Sequence, residues 1–228
     1  MFRFRTIIAL LVLLAVVGAV SAYRAARTVP EFYQQVLELP PQQAEAAGEE
    51  FAASTLELSN RVRLAGIWSA QFTDEQVNGW LATEMPEKHP ELLPVGFTQP
   101  RVRFAENRLQ LGVQSTASGV ETVVWLDIEV SMTDEHEAAL RFRQVRAGSL
   151  PLPLGHVLDA LTQVAQDLEV PLRWTTVDDD PTALLGLPTL AGGYVRYELD
   201  KLKVSDGLLF VSGRTVRAKA TSPGTAAR

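Results

Sequence analysis

From Ile7 to Val20 every residue is Ile, Leu, Val, Ala or Gly, and Ser21, Ala22 and Tyr23 extend the uncharged stretch. At about 1.5 Å per residue such a helix reaches roughly 25 Å, just enough to cross a bilayer core of about 30 Å with snorkelling flanks. Arg3 and Arg5 precede the stretch and Arg24 and Arg27 follow it, as suits a helix whose ends lie in the lipid headgroups. The pattern predicts a signal-anchor or transmembrane helix within residues 1–28. The competing reading is a signal peptide cleaved after the small residues Val20-Ser21-Ala22, which would leave a secreted or periplasmic protein. Charges on the two flanks are balanced, so the positive-inside rule gives only a weak preference for a cytoplasmic N-terminus. On that orientation the protein is a single-pass protein of the cell membrane with its domain extracytoplasmic.

Charge narrows the partners. The chain of 228 residues has 21 basic and 27 acidic side chains, and its first 28 residues hold four arginines and no acid, leaving a formal charge of −10 beyond them. Nucleic acid is excluded as a partner, because phosphate binding needs a basic footprint. With no cysteine, disulfides and thiolate metal sites are excluded as well.

Prolines punctuate the next segment. Pro30 opens a short periodic stretch with Phe32, Tyr33, Val36 and Leu37, and Pro40-Pro41 stops it. A helix is expected from Gln42 to about Leu64, with Ala44, Ala47, Phe51, Thr55, Leu58 and Val62 along one stripe and strand character from Leu56 as the alternative. Residues 29–65 therefore read as a helical connector to an α+β domain over 66–220, with 221–228 a disordered tail. The domain's first helix has the best-marked start in the chain. In Gln71-Phe72-Thr73-Asp74-Glu75-Gln76-Val77, Thr73 and Gln76 form a capping box and Phe72 can staple to Val77. Asp74 and Glu75 complement the helix dipole, which explains them without acid–base catalysis. Pro86 is expected to end this helix.

Alternation of period two from Pro100 to Val145 predicts an antiparallel meander. A turn at Glu106-Asn107 would set Phe104 opposite Leu109 and Val102 opposite Leu111. A turn centred on Asp134 would pair Ile128 with Phe142 and Val130 with Leu140, and would set Glu129 against Arg141 and Asp127 against Arg143 on the wet face. Such cross-strand ion pairs account for the arginines, and a stripe contacting lipid phosphate is the functional alternative. After Pro153, Leu154, Val157, Leu158, Leu161, Val164, Ala165 and Leu168 keep helical spacing and demand an apolar partner, for which the inward face of the meander is available. A strand candidate runs from Leu172 to Val177, and Asp206-Gly207 marks a final hairpin.

Motifs that carry chemistry are missing. His89, His136 and His156 stand apart, Gly192-Gly193 alone makes no phosphate loop, and Asp178-Asp179-Asp180 precedes a proline without calcium-loop spacing. No enzyme, cofactor or metal is implied, and Asp178 to Asp180 is the place to look for an envelope enzyme.

The run Gln71 to Leu81, with its extended lead-in, capped helix and following meander, resembles the opening of several bacterial membrane-anchored families of uncharacterised function. Those families are similar in pattern to the tubular lipid-binding (TULIP-like) proteins, and the Leu202 to Val211 hairpin looks like their recurrent edge hairpin. The resemblance covers roughly residues 50 to 218. It implies a curled antiparallel sheet around a helix, with an apolar groove for lipid. The expectation is thus an α+β fold, an antiparallel meander wrapped on the helix Leu154 to Leu168 with the helix Thr73 to Glu84 beside it. Its function would be to bind a lipid or other apolar ligand between sheet and helix, lined by Leu126, Ile128, Phe142, Leu158 and Leu161. The alternative is a structural or protein-interaction module of the envelope in which those residues fill a closed core, with a protein partner that the sequence does not identify.

Overall fold

The structure, a computed structural model, describes residues 17–116, 119–167, 170–186 and 195–217. Most of the apolar run at 7–20, the C-terminal Leu168 of the predicted long helix, Gly192-Gly193 and the tail from Thr221 lie outside them. No helix among the described residues is long and apolar enough to cross a membrane.

Helices come first in the chain. Residues 17–26 form α1, followed by α2 (Glu31–Leu37) and α3 (Pro41–Val62). Pro30 and Pro40 are the N-caps of α2 and α3, and α3 stays helical through Leu56, so the strand alternative there is not realised. Both helices pack on the sheets. Phe32 and Tyr33 are buried, and the Tyr33 hydroxyl donates to the Gln99 carbonyl at 2.7 Å. The backbone at Gly112 leaves the room for this ring, since a Cβ there would lie 2.6 Å from Tyr33 Cδ2.

β1 (Gly66–Thr73) follows, then α4 (Asp74–Ala82) and the short α5 (Glu84–Lys88). The capping box is present: Gln76 N donates to Thr73 Oγ1 at 3.1 Å, and Thr73 N donates to Gln76 Oε1 at 2.9 Å. Such a cap contributes about 1 kcal/mol. Phe72 packs edge-on to Phe51 of α3, while Val77 faces the core around Val102 and Val204, so the two do not share one contact. Pro86 does not terminate α4. That helix ends at Ala82, where Thr83 Oγ1 bonds back to the Gly79 carbonyl, and Pro86 sits in the first turn of α5, where no amide donor is needed.

The remaining strands are β2 (Phe97–Ala105), β3 (Arg108–Ser115), β4 (Thr122–Met132), β5 (Ala138–Ala147), β6 (Leu150–Pro151), β7 (Leu172–Val177), β8 (Asp180–Leu185), β9 (Val195–Ser205) and β10 (Leu208–Arg217), with α6 (Leu154–Asp167) between β6 and β7. Every pairing among them is antiparallel. One sheet has the order β2-β3-β4-β5-β8-β7, with β6 on β5, and a second has β1-β10-β9. The expected α+β class with antiparallel sheets is observed, and the longest helix among the described residues is α3. The hairpin registers agree with expectation at Val102↔Leu111, Phe104↔Leu109, Ile128↔Phe142 and Val130↔Leu140. A bulge between Asp127 and Ile128 sets Asp127 against Gln144 instead of Arg143.

One face of the larger sheet forms the core. Leu126, Ile128, Phe142, Val145 and Ala183 are buried there, with Leu154, Val157, Leu158 and Leu161 of α6 packed on them. Farther along, Val102, Phe104 and Val130 meet Val204 and the α4 residues Val77 and Leu81. Strand β2 is a sheet edge, and side chains of α4 satisfy three of its outer hydrogen-bonding groups, while Gly207 N donates to the Phe104 carbonyl. Asn78 Nδ2 donates to the Val102 carbonyl at 2.7 Å, Val102 N donates to Asn78 Oδ1 at 2.8 Å, and Phe104 N donates to Asp74 Oδ2 at 3.3 Å. A helix thus covers an edge that would otherwise offer itself to another strand.

Candidate functional site

The five residues expected to line a groove are brought together, but as neighbours in one packed cluster. Leu126, Ile128 and Phe142 are buried, and Leu158 and Leu161 rest directly against them.

The acidic turn is likewise occupied. Asp178 and Asp179 take left-handed φ values of 47° and 68°, which close the β7–β8 hairpin. Asp178 Oδ2 accepts from Arg141 at 2.9 Å, and Asp180 Oδ2 accepts from Arg141 Nε and from Arg143 Nη1, both at 2.9 Å. Arg141 does face Glu129 in register, yet the β7–β8 hairpin on its other side supplies Asp178 and Asp180, and Glu129 pairs with Arg143 at 3.4 Å. Asp127, displaced by the bulge, accepts from Arg108 at 3.0 Å. His136 Nδ1 donates to the Leu199 carbonyl at 2.8 Å, while His89 lies beside Trp80. The His156 side chain lies outside the description.

The hydrogen bond from Arg141, and then that from Arg143, holds the Asp180 carboxyl below its ordinary pKa of 3.8. A depressed carboxylate pKa means that the stabilisation is complete at neutral pH and is lost as the pH falls from about 3.8 through the folded-state value. The stability gap between wild type and Asp180→Asn, followed by urea denaturation, is therefore expected to shrink between pH 6 and pH 2. A gap independent of pH would show that the charge contributes nothing.

A recess with mainly apolar walls lies elsewhere, at the beginning of β2. Here Leu81 and Met85 of α4 and α5, the loop carrying Pro90, Leu93 and Pro94, and residues Phe97 to Arg101 enclose a cleft of about 450 Å³. Its shape follows from local backbone. Between Thr98 and Arg101 the β2–β3 register shifts: Gln99 takes φ 51°, Pro100 brings no amide hydrogen, and pairing resumes at Arg101↔Gly112. Bulges of this kind re-aim a strand edge. Pro86, Pro90 and Pro94 line the opposite wall and bring no amide hydrogen to it. The Gln99 carbonyl is fixed by Tyr33, so the bulge is braced from behind by α2.

Arg101 is the cationic group of this cleft. Its Nη1 donates to the Pro100 carbonyl at 2.7 Å, and among the described residues it forms no ion pair with a carboxylate. Burial pulls its pKa down, opposed only by the nearby Tyr33 phenol, whose own pKa burial pushes up. Val95 stands fully exposed at the rim. Sequence reasoning missed this site. The available signal was the proline spacing from Pro86 to Pro100 immediately before the alternating pair Arg101 and Arg103. Compared with known proteins, the chain matches no family model, no curated protein and no solved structure.

Proposed function

We propose that the protein is held at a membrane by the segment within residues 1–28 and that its extracytoplasmic domain binds a lipid or other apolar ligand without catalysis. The observation that carries this reading is the cleft of about 450 Å³ at the start of β2, walled mainly by Leu81, Met85, Pro90, Leu93 and Phe97. Small-ligand sites are recesses of roughly 300–1,000 Å³ with mostly apolar walls and a few polar groups. The side chains between sheet and α6 are already in contact with one another, which favours the β2 cleft over that layer as the ligand's place in this reading. The sequence resemblance to TULIP-like proteins supports the ligand class.

Native mass spectrometry of the full chain purified in mild detergent tests this reading. Co-purified lipid is expected on the wild type and is expected to fall at least fivefold when Leu93→Trp fills the cleft. Lipid-free protein across several preparations would favour the alternative, a structural or interaction module of the envelope, for which the closed cluster around Leu126 and Phe142 already speaks.

A further inference from the structure

The end of the sheet that carries the cleft is also the end at which α1 stops. Ser149 N donates to the Ala25 carbonyl at 2.8 Å, and Thr122 Oγ1 donates to the Ala26 carbonyl. Gly148, at φ 58°, lets the chain come this close, since a Cβ there would run into both alanine carbonyls. The hydrogen-bonded register then leads back to the cleft, from Thr122 to Ser115 on β3 and from Ser115 to Phe97 on β2. At about 4.8 Å between neighbouring strands, Phe97 lies roughly 10 Å from the backbone that receives α1. Residues 17–26 continue the apolar run of 7–20, so the segment read as the membrane anchor is bonded to the same sheet end on which the cleft opens.

Two further observations define the occupant. The apolar walls ask for hydrocarbon, and about 450 Å³ is near the lower end of the small-ligand range of roughly 300–1,000 Å³, which suits one acyl chain better than two. Arg101 is half-buried among those walls with a carbonyl as its hydrogen-bond partner, and the fork of a guanidinium matches a carboxylate bidentately. On the same sheet Arg108, Arg141 and Arg143 are each paired to Asp127, Asp178, Asp180 or Glu129, whereas Arg103 donates to Gln35 and Arg146 to the Ser149 carbonyl, both away from the cleft walls.

We propose that the cleft takes a single-chain fatty acid from the adjacent bilayer, with its chain against Met85, Pro90 and Leu93 and its carboxylate on Arg101. This rests on the lipid-binding reading above and adds to it the headgroup charge, the chain number and the residue that recognises the head.

The test uses the full chain in nanodiscs of neutral phosphatidylcholine, with photoactivatable palmitate and the alcohol of the same length as probes. Labelled peptides are mapped by mass spectrometry. Palmitate is expected to label residues within 81–101, the alcohol at least fivefold less. Arg101→Met should abolish that preference, and Arg101→Lys should keep part of it. Excess acetate should not compete, because it lacks the chain. Leu93→Trp should block palmitate labelling with Arg101 intact, which keeps the test valid if Arg101→Met fails to fold. Equal labelling by acid and alcohol, unchanged in Arg101→Met, would overturn the anionic headgroup while leaving the lipid-binding reading standing. Cleft labelling by neither probe would overturn both.

Discussion

Asn78→Leu is expected to destabilise the fold by about 3–4 kcal/mol and to lower its thermal midpoint by about 10 °C. Asn78 is buried, and its amide group pairs with both the N–H and the C=O of Val102. Leucine has similar volume and no polar atom, so both backbone groups would be left buried without partners. Each unsatisfied group costs about 1–3 kcal/mol, and a chain of this size loses roughly 2–4 °C per kcal/mol. Urea denaturation of the full chain in detergent gives the measurement. A loss below about 1 kcal/mol would mean that water reaches the edge of β2 and that α4 is not its necessary cover.

Gly79→Val is expected to cost about 3 kcal/mol for a different reason. At this position α4 crosses α3 with backbone against backbone. A Cβ would lie 2.5 Å from the Ala44 carbonyl oxygen, 2.6 Å from Gly48 N and 2.9 Å from Ala47 Cβ. Gly48 has the reciprocal restriction, with Thr83 Oγ1 at 2.9 Å and the Gly79 carbonyl carbon at 3.0 Å. Backbone atoms on both sides cannot swing away as a flexible side chain would, so the helices must separate. Gly155→Ala in α6 is the contrast, since nothing lies within 4 Å of the added carbon and helix propensity favours alanine. That variant should be neutral or slightly more stable under the same denaturation assay. Equal losses at Gly79 and Gly155 would show that close helix contact is not the cause.

Much of the fold was legible where short-range rules suffice. The β2–β3 register near its turn and the β4–β5 register on the turn side of the bulge at Asp127 follow from bulky alternation on either side of a short turn, because a slip by one residue would turn the whole apolar set toward water. The α4 start follows from Thr73 and Gln76, whose reciprocal bonds involve only neighbours in sequence. The stripe of α3 was readable, but the meaning of Gly48 was not. From sequence it looks like a weakness in the helix, whereas in the structure it is the reason that Gly79 can approach.

The unread parts depend on distant partners. β1 alternates only through Trp68, Ala70 and Phe72, too little to announce a strand, and it is fixed by β10 through pairs such as Gly66↔Thr215. β8 lies between β5 and β7, which gives Arg141 its two aspartates and draws it from the expected Glu129 pairing. The proposed ligand site differs from the expected one for a similar reason. Leu126, Ile128, Phe142, Leu158 and Leu161 do pack in one cluster, but periodicity reports that a side chain leaves water and not whether protein or ligand covers it.

By itself, then, the sequence determined the α+β class, the hairpin registers, the helix cap and the apolar N-terminal run, all of which arise from interactions among near neighbours or from bulk hydropathy. Tertiary structure decided which strand edges meet, which helices touch through glycine, and where a recess remains open. Those outcomes turn on loop closure and three-dimensional packing among residues far apart in the chain, for which no local pattern exists to be read.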